Sequence, residues 1–168
     1  TESAKISIKE EIKSEDFDGV VEKVEYEKIN TSLSYIKSST YLPGTNLVIF
    51  DSGKGIEIFD LKSNKSTIIS TKELKDKLGF KSDYITVENL LLDNETIVLI
   101  GGWGKELALY NIKEQKVVSD VKELEKKIGF KNERWIQKIV PLEDEDSIII
   151  AGKQGNVAIY NFKTKKVI

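Results

Sequence analysis

"GGWGKELALYN", residues 101 to 111, decides how the rest of the chain is read. Two glycines, a tryptophan and a third glycine lead into an alternating apolar segment that closes on Tyr-Asn. The same order stands upstream in "DSGKGIEIFDL", residues 51 to 61, and downstream in "AGKQGNVAIYNF", residues 151 to 162. Self-similarity at a fixed period marks a repeat architecture and governs every local signal within it. A second stretch sets the register: "KELKDKLGFK" (72 to 81) and "KELEKKIGFK" (122 to 131) agree at seven of ten positions at a shift of fifty. Tyr110-Asn111 falls on Tyr160-Asn161 at that shift. Phe59-Asp60 falls on Tyr110-Asn111 at a shift of fifty-one, so one residue is gained near the join. The match runs over residues 33 to 168.

Each unit has one internal order. In the middle unit, "DYITVENLLL" (83 to 92) is rich in strand formers and precedes the turn "DNET". "IVLI" (97 to 100) is a continuous apolar run, as expected of a strand buried on both faces. After the glycine turn, "ELALYNI" alternates, with Leu107 and Leu109 on one side and Ala108 and Tyr110 on the other. "KVVS" (116 to 119) is a short fourth strand. The third unit repeats this with "RWIQKIVPL", "SIIIAG", "NVAIYNF" and "KKVI", and the first with "SLSYIKSSTYL", "NLVIFD", "GIEIFDL" and "STIIS". Four short strands joined by tight hairpins make an antiparallel meander.

A helix is expected between units. Ser70-x-x-Glu73 and Asp120-x-x-Glu123 each read as a capping box, in which the first side chain caps a backbone N–H and the Glu reaches back. Leu74 with Leu78, and Leu124 with Ile128, lie one turn apart on one face. Gly79 and Gly129 take the left-handed stop position, followed by Phe80 and Phe130 as apolar anchors. The glycines at 101, 102 and 104, with Gly53, Gly55, Gly152 and Gly155 in the other units, are read as hairpin residues needing positive φ. A phosphate cradle would need a helix N-terminus after the glycines, and a strand follows instead.

Four-stranded meanders repeating every 40 to 50 residues are blades of a β-propeller. The ending Gly…(Ile/Val)-x-(Ile/Leu)-(Phe/Tyr)-(Asp/Asn) resembles the WD-repeat family, through Phe59-Asp60, Tyr110-Asn111 and Tyr160-Asn161. Trp never fills the aromatic position, and the family's Gly-His pair is missing because the chain has no His. "IVLIGG" resembles kelch repeats and "ALYNIKEQKV" quinoprotein propellers, each less fully. The resemblance implies an all-β chain: about three four-stranded blades (33–70, 83–119 and 133–168), a helix in each connection, and an N-terminal extension or linker at 1–32. Three blades do not close a ring, so further blades or association of copies is expected. In an isolated piece, Leu47, Ile49, Ile148 and Ile150 are expected to line or adjoin exposed blade faces.

Composition limits function. The 168 residues carry 26 Lys and Arg against 28 Asp and Glu, a net charge of −2. That balance argues against broad nucleic-acid binding, which needs a basic footprint. Without Cys or His the chain lacks thiol chemistry and the commonest general base and metal ligand. No apolar run is long enough to span a bilayer, and no signal peptide is present. The chain has no Met, which suits an excised domain or the mature part of an exported lipoprotein, and the absence of Cys suits an extracytoplasmic location.

Trp103, beside Lys105, is the sharpest candidate for a protein contact, since exposed Trp is a typical hot spot. The other blades carry Ser52 and Lys153 at its turn position, and Lys54, Lys105 and Lys153 lie near it. Arg134 and Trp135 open the third blade's innermost strand, where core packing is the plainer role. In a propeller these turns and the blade connections share one face, which also places the two helices there. "EDEDS" (143 to 147) could hold Ca²⁺, but reads more simply as a solvated turn tip. No catalytic constellation is found: the sialidase pattern Ser-x-Asp-x-Gly-x-Thr-Trp is absent, and Glu88 and Glu133 show no readable pairing. The expectation is an interaction module with a protein partner, or a homodimer through open blade faces, and no cofactor. The other reading is part of a carboxylate-dependent, glycosidase-like propeller enzyme that needs further blades.

Overall fold

The computed structural model describes residues 31, 33, 35–52, 55–102, 104–129, 136–144 and 146–168, together with the backbone of two short N-terminal strands. Those strands, β1 (Ile6–Ile8) and β2 (Tyr26–Lys28), pair antiparallel. The alternation in "KISIKEEI" therefore corresponds to a strand at Ile6–Ile8.

Three four-stranded sheets follow in chain order. The first contains β3 (Ser38–Tyr41), β4 (Leu47–Ser52), β5 (Gly55–Asp60) and β6 (Lys65–Ser70). The second contains β7 (Ile85–Leu92), β8 (Thr96–Gly101), β9 (Glu106–Asn111) and β10 (Lys116–Ser119). The third contains β11 (Ile136–Pro141), β12 (Ser147–Gly152), β13 (Val157–Asn161) and β14 (Lys166–Val167). In every sheet, strands adjacent in sequence are adjacent in space and antiparallel. Helices α1 (Thr71–Leu78) and α2 (Val121–Ile128) stand between the sheets in the chain.

The period-2 alternation decides how the sheets stack. Ile49, Ile56, Ile58 and Ile69 of the first sheet pack against Ile97, Leu99, Ala108 and Tyr110 of the second. Val98, Leu107 and Leu109, on the second sheet's other face, pack against Ile148, Ile150 and Tyr160 of the third. The middle sheet is thus covered on both sides, which explains why "IVLI" is continuously apolar. One expectation is corrected here. Ile49, Ile148 and Ile150 are almost wholly buried, and Leu47 packs against the first core, so all four belong to the seams between sheets. Strand register puts their neighbours, one residue along, on the opposite face.

The turns account for the shift in repeat length. Ser52 pairs with Gly55, whereas Gly101 pairs with Glu106, so the second hairpin is two residues longer. In the third sheet the Gly152 N–H donates to the Asn156 carbonyl at 2.8 Å, an intermediate length.

The helix caps divide. At α1 both halves of the capping box form: the Glu73 N–H donates to Ser70 Oγ at 3.2 Å and the Ser70 N–H to Glu73 Oε2 at 3.0 Å. At α2 only the first half forms, with the Glu123 N–H on Asp120 Oδ1 at 2.7 Å. Glu123 turns instead to Lys127 at 3.0 Å and Lys165 at 3.3 Å, because the β13–β14 turn brings a second cation to it. Gly79 and Gly129 both adopt the left-handed conformation, at φ 77° and 69°. Leu74, Leu78 and Leu124 are buried and Ile128 is half-buried. Phe80 is buried; Phe130 lies outside the described residues.

Candidate functional site

The turn between β8 and β9 is bound into its surroundings. Gly101 is not in the positive-φ region; its need for glycine is steric. A Cβ there would stand 2.5 Å and 2.8 Å from two ring carbons of Phe80, and 2.9 Å from Glu106 Oε2. Gly102 and Gly104 do have positive φ, 60° and 88°. Glu106, buried at the start of β9, accepts the Lys81 N–H at 2.9 Å and the Ser82 N–H at 3.1 Å. The Gly102 N–H donates to the Tyr84 carbonyl at 3.1 Å, and the Gly104 carbonyl accepts the Ile136 N–H at 2.6 Å. Three segments meet here: the chain leaving α1, the hairpin turn, and the first residue of β11.

The other glycines differ among themselves. Gly155 has φ 91°, and Gly55 has φ 145° with the Ile69 carbonyl oxygen where a Cβ would go. Gly152 is outside the positive-φ region, a second departure from the expectation, and Gly53 is not among the described residues.

Of the candidate contact residues, Lys105 is exposed in this turn and Lys153 is exposed in the β12–β13 turn. Trp103, Lys54, Arg134 and Trp135 lie outside the described residues. Helix α1 packs against β5, β6 and β10, and α2 against β9 and β14. What joins the 101–106 turn is the segment after α1.

A buried polar group near this end belongs to none of the sequence motifs. Asp51, 1% exposed, accepts Ser38 Oγ at 2.8 Å and the Val87 N–H at 3.1 Å, both through Oδ2. It therefore ties the first sheet to the innermost strand of the second. Lys37, next to Ser38, holds its ammonium 3.4 Å above the Tyr84 ring. Strand pairing puts Asp51 at the position of Ile100 and Ala151 in the other sheets. An acid at an apolar repeat position was the available signal.

At the opposite end the aromatic-Asp/Asn pairs are structural. Phe59, Tyr110 and Tyr160 are buried to 2%, 1% and 0% exposure. The following acid or amide caps its turn. Asp60 Oδ1 accepts the Lys62 N–H at 2.8 Å, Asn111 Oδ1 the Glu114 N–H at 2.8 Å, and Asn161 Oδ1 the Thr164 N–H at 2.8 Å. Each turn then leaves through a left-handed residue, Asn64, Gln115 or Lys165. Side-chain and backbone donors from Ser63 and Lys62 hold the Asp60 carboxyl below the usual range. Contacts from the Lys113 ammonium and Asn111 do the same for Glu95. In "EDEDS", Asp144 takes the Ser147 Oγ–H at 2.7 Å and the Ser147 and Asp146 N–H groups, so it caps its own turn.

Two grooves remain. One, of about 530 Å³, lies between β7 and β11, where exposed Glu88 and Lys138 flank Leu90 and Ile139. The other, of about 640 Å³, opens between the first and second sheets at the turn end; Leu47, Ile58, Asp60, Lys65, Glu95 and Ile112 are among its walls.

No protein-family model and no curated protein matches the chain. Solved structures do. A crystallised fragment of HIRA superposes with a TM-score of 0.51 at 13% identity, over 88% of this chain and 41% of that one. PorZ, a surface component of the type-IX secretion system of Porphyromonas gingivalis, superposes at 0.54 with 16% identity, over 82% of this chain and 17% of that one. The fold is β-propeller-like. The chain spans less than half the length of either neighbour.

Proposed function

We propose that the chain is a non-catalytic, divergent WD-repeat-like propeller module that works by binding protein. One observation carries this reading. On the outer face of the third sheet, Val140, Ile149 and Ile159 form a cross-strand row, and the Ile168 N–H donates to the Ile159 carbonyl at the row's end. Val157, on the same face, is 64% exposed and Ile168 76%. The matching positions, Ile49 and Ile58 in the first sheet and Val98 and Leu109 in the second, are covered by the next sheet. Exposed apolar surface of this shape marks an interaction site.

The occupant with matching chemistry is another four-stranded sheet of the same kind. A second copy would supply one. Light scattering on this chain tests the reading. Association is expected, and Val157→Asp should weaken it without unfolding the sheet, since Val157 is outside both cores. A monomer at high micromolar concentration that binds no hydrophobic dye would refute it. The loop-rich end, with Trp103, Lys105, Lys54, Lys153, Arg134 and Trp135, is the proposed surface for a different protein; the exposure of Lys105 and Lys153 supports that assignment.

A further inference from the structure

The chain contains its own control for the groove between the first two sheets, because the same crevice occurs again between the second and third. There Lys163 reaches across from the end of β13 to Asp93, 2.8 Å away in the β7–β8 turn, and pins the two sheets together. At the first crevice the residue in the place of Lys163 is Lys113, and the residue in the place of Asp93 is Pro43. The bridge cannot form. Lys113 folds back onto Glu95 of its own sheet at 2.7 Å.

Turn chemistry is the cause. Leu92-Asp93-Asn94-Glu95 has positive φ at both central residues, 45° and 57°, and the Glu95 N–H closes on the Leu92 carbonyl at 3.0 Å. That is a type I′ hairpin turn. Leu42-Pro43-Gly44-Thr45 closes on the Leu42 carbonyl at 3.1 Å with Gly44 at φ 76°. Pro is fixed at negative φ, so this is a type II turn and offers no carboxylate. The crevice is left open as a groove of about 640 Å³, within the roughly 300–1,000 Å³ of small-molecule sites.

Its walls set the ligand class. The floor is aliphatic: Leu47, Ile58 and Ile112. The rim carries Asp60 and Glu95 against Lys65 and Lys113. Asp60 and Lys65 are directly opposed on β5 and β6, yet the Lys65 side chain makes no ion pair or hydrogen bond among the described residues. A ligand with a single charge would gain at one side of such a rim and be repelled at the other. A ligand with both charges matches both sides. Among the described residues no aromatic one lines the groove, so they offer no stacking surface of the kind that flat rings use.

We propose that this groove binds a small zwitterion with an aliphatic body, of the class of a branched-chain α-amino acid, with Lys65 taking the carboxylate and Asp60 the ammonium group. L-Leucine is the probe, with 3-methylbutylamine and 4-methylpentanoate as its singly charged counterparts, followed by amide chemical shifts of the labelled chain. Leucine should shift the Asn94, Glu95 and Ile112 amides saturably at about millimolar concentration, and both counterparts should bind more weakly. Lys65→Ala, at an exposed position, should weaken binding about tenfold, the loss of one charge-assisted contact. The paired change Pro43→Asp and Gly44→Asn should restore the cross-sheet bridge and reduce binding. The absence of a saturable shift, equal binding of either counterpart, or an unchanged affinity in Lys65→Ala would overturn the assignment.

Discussion

Gly101→Ala isolates the packing argument at the 101–106 turn. The added Cβ would sit 2.5 Å and 2.8 Å from Phe80 ring carbons, where carbon–carbon contacts prefer about 3.5–4.0 Å. Relief requires the ring to move by about 1 Å. Phe80 is only 3% exposed and belongs to the core shared by the first two sheets, so it has little room. The alternative, displacing the Glu106 carboxylate 2.9 Å from the Cβ, would loosen its hold on the Lys81 and Ser82 amides. Overpacking of this kind costs about 1–3 kcal/mol. Replacing Gly returns about 0.4–1 kcal/mol by stiffening the unfolded chain. The net is a loss of about 1–2 kcal/mol, which for a domain of this size lowers Tm by about 2–8 °C. Urea unfolding of Gly101→Ala, Phe80→Leu and the double variant gives the decisive cycle. If the Phe80 ring is the obstacle, the double variant is more stable than the sum of the single changes predicts, by about 1 kcal/mol. A neutral Gly101→Ala, or strict additivity, refutes the steric account.

Gly129 has open space where a Cβ would go but φ 69°, so Gly129→Ala should cost about 1 kcal/mol through backbone strain alone, and Gly129→Asn should recover much of it by thermal unfolding. Gly101→Asn should not be tolerated in that way. Asp51→Ala strips the Val87 N–H of its acceptor and should cost about 1–3 kcal/mol, with faster hydrogen exchange at Val87. Stability should fall in acid: donors from Ser63, Ser70, Lys113 and Ser147 lower the carboxyls of Asp60, Glu73, Glu95 and Asp144. The folded state then binds fewer protons than the unfolded one, so this contribution is present above the usual carboxylate range and is lost as pH falls through the lowered values. With no His in the chain, denaturant midpoints should be flat from about pH 6 to 8.

The three meanders and both helices were legible because their signals are local and repeated. "KELKDKLGFK" and "KELEKKIGFK" carry their own caps and stops, and the alternation in "ELALYNI" places Leu107 and Tyr110 on opposite faces whatever surrounds them. What escaped the sequence depends on contacts between segments far apart in it. Gly101 is glycine because of Phe80, and Asp51 matters because of Val87. Glu123 leaves its cap because Lys165 arrives from another sheet. The site was less legible than the fold for the same reason. Lys65 and Asp60 could be seen as neighbours on a hairpin, but the groove they border is completed by Asn94, Glu95 and Ile112 of the next sheet, far away in the sequence.

The outer face of the third sheet bears on function more strongly than its exposure alone suggests. An antiparallel sheet that ends in water alternates to polar residues on the wet side. The same sheet does this elsewhere: Gln137 and Lys138 on β11 and Lys166 on β14 are polar and exposed. Yet Val140, Ile149, Val157, Ile159 and Ile168 remain apolar, and Ile149, Val157 and Ile159 stand at the positions, Ile49, Ile56 and Ile58 or Val98, Leu107 and Leu109, by which the first and second sheets are covered. Free strand edges and apolar faces invite unwanted pairing, so a face meant for solvent would carry its charges here first. The charges lie around this row rather than within it, the arrangement of an interface core with a polar rim.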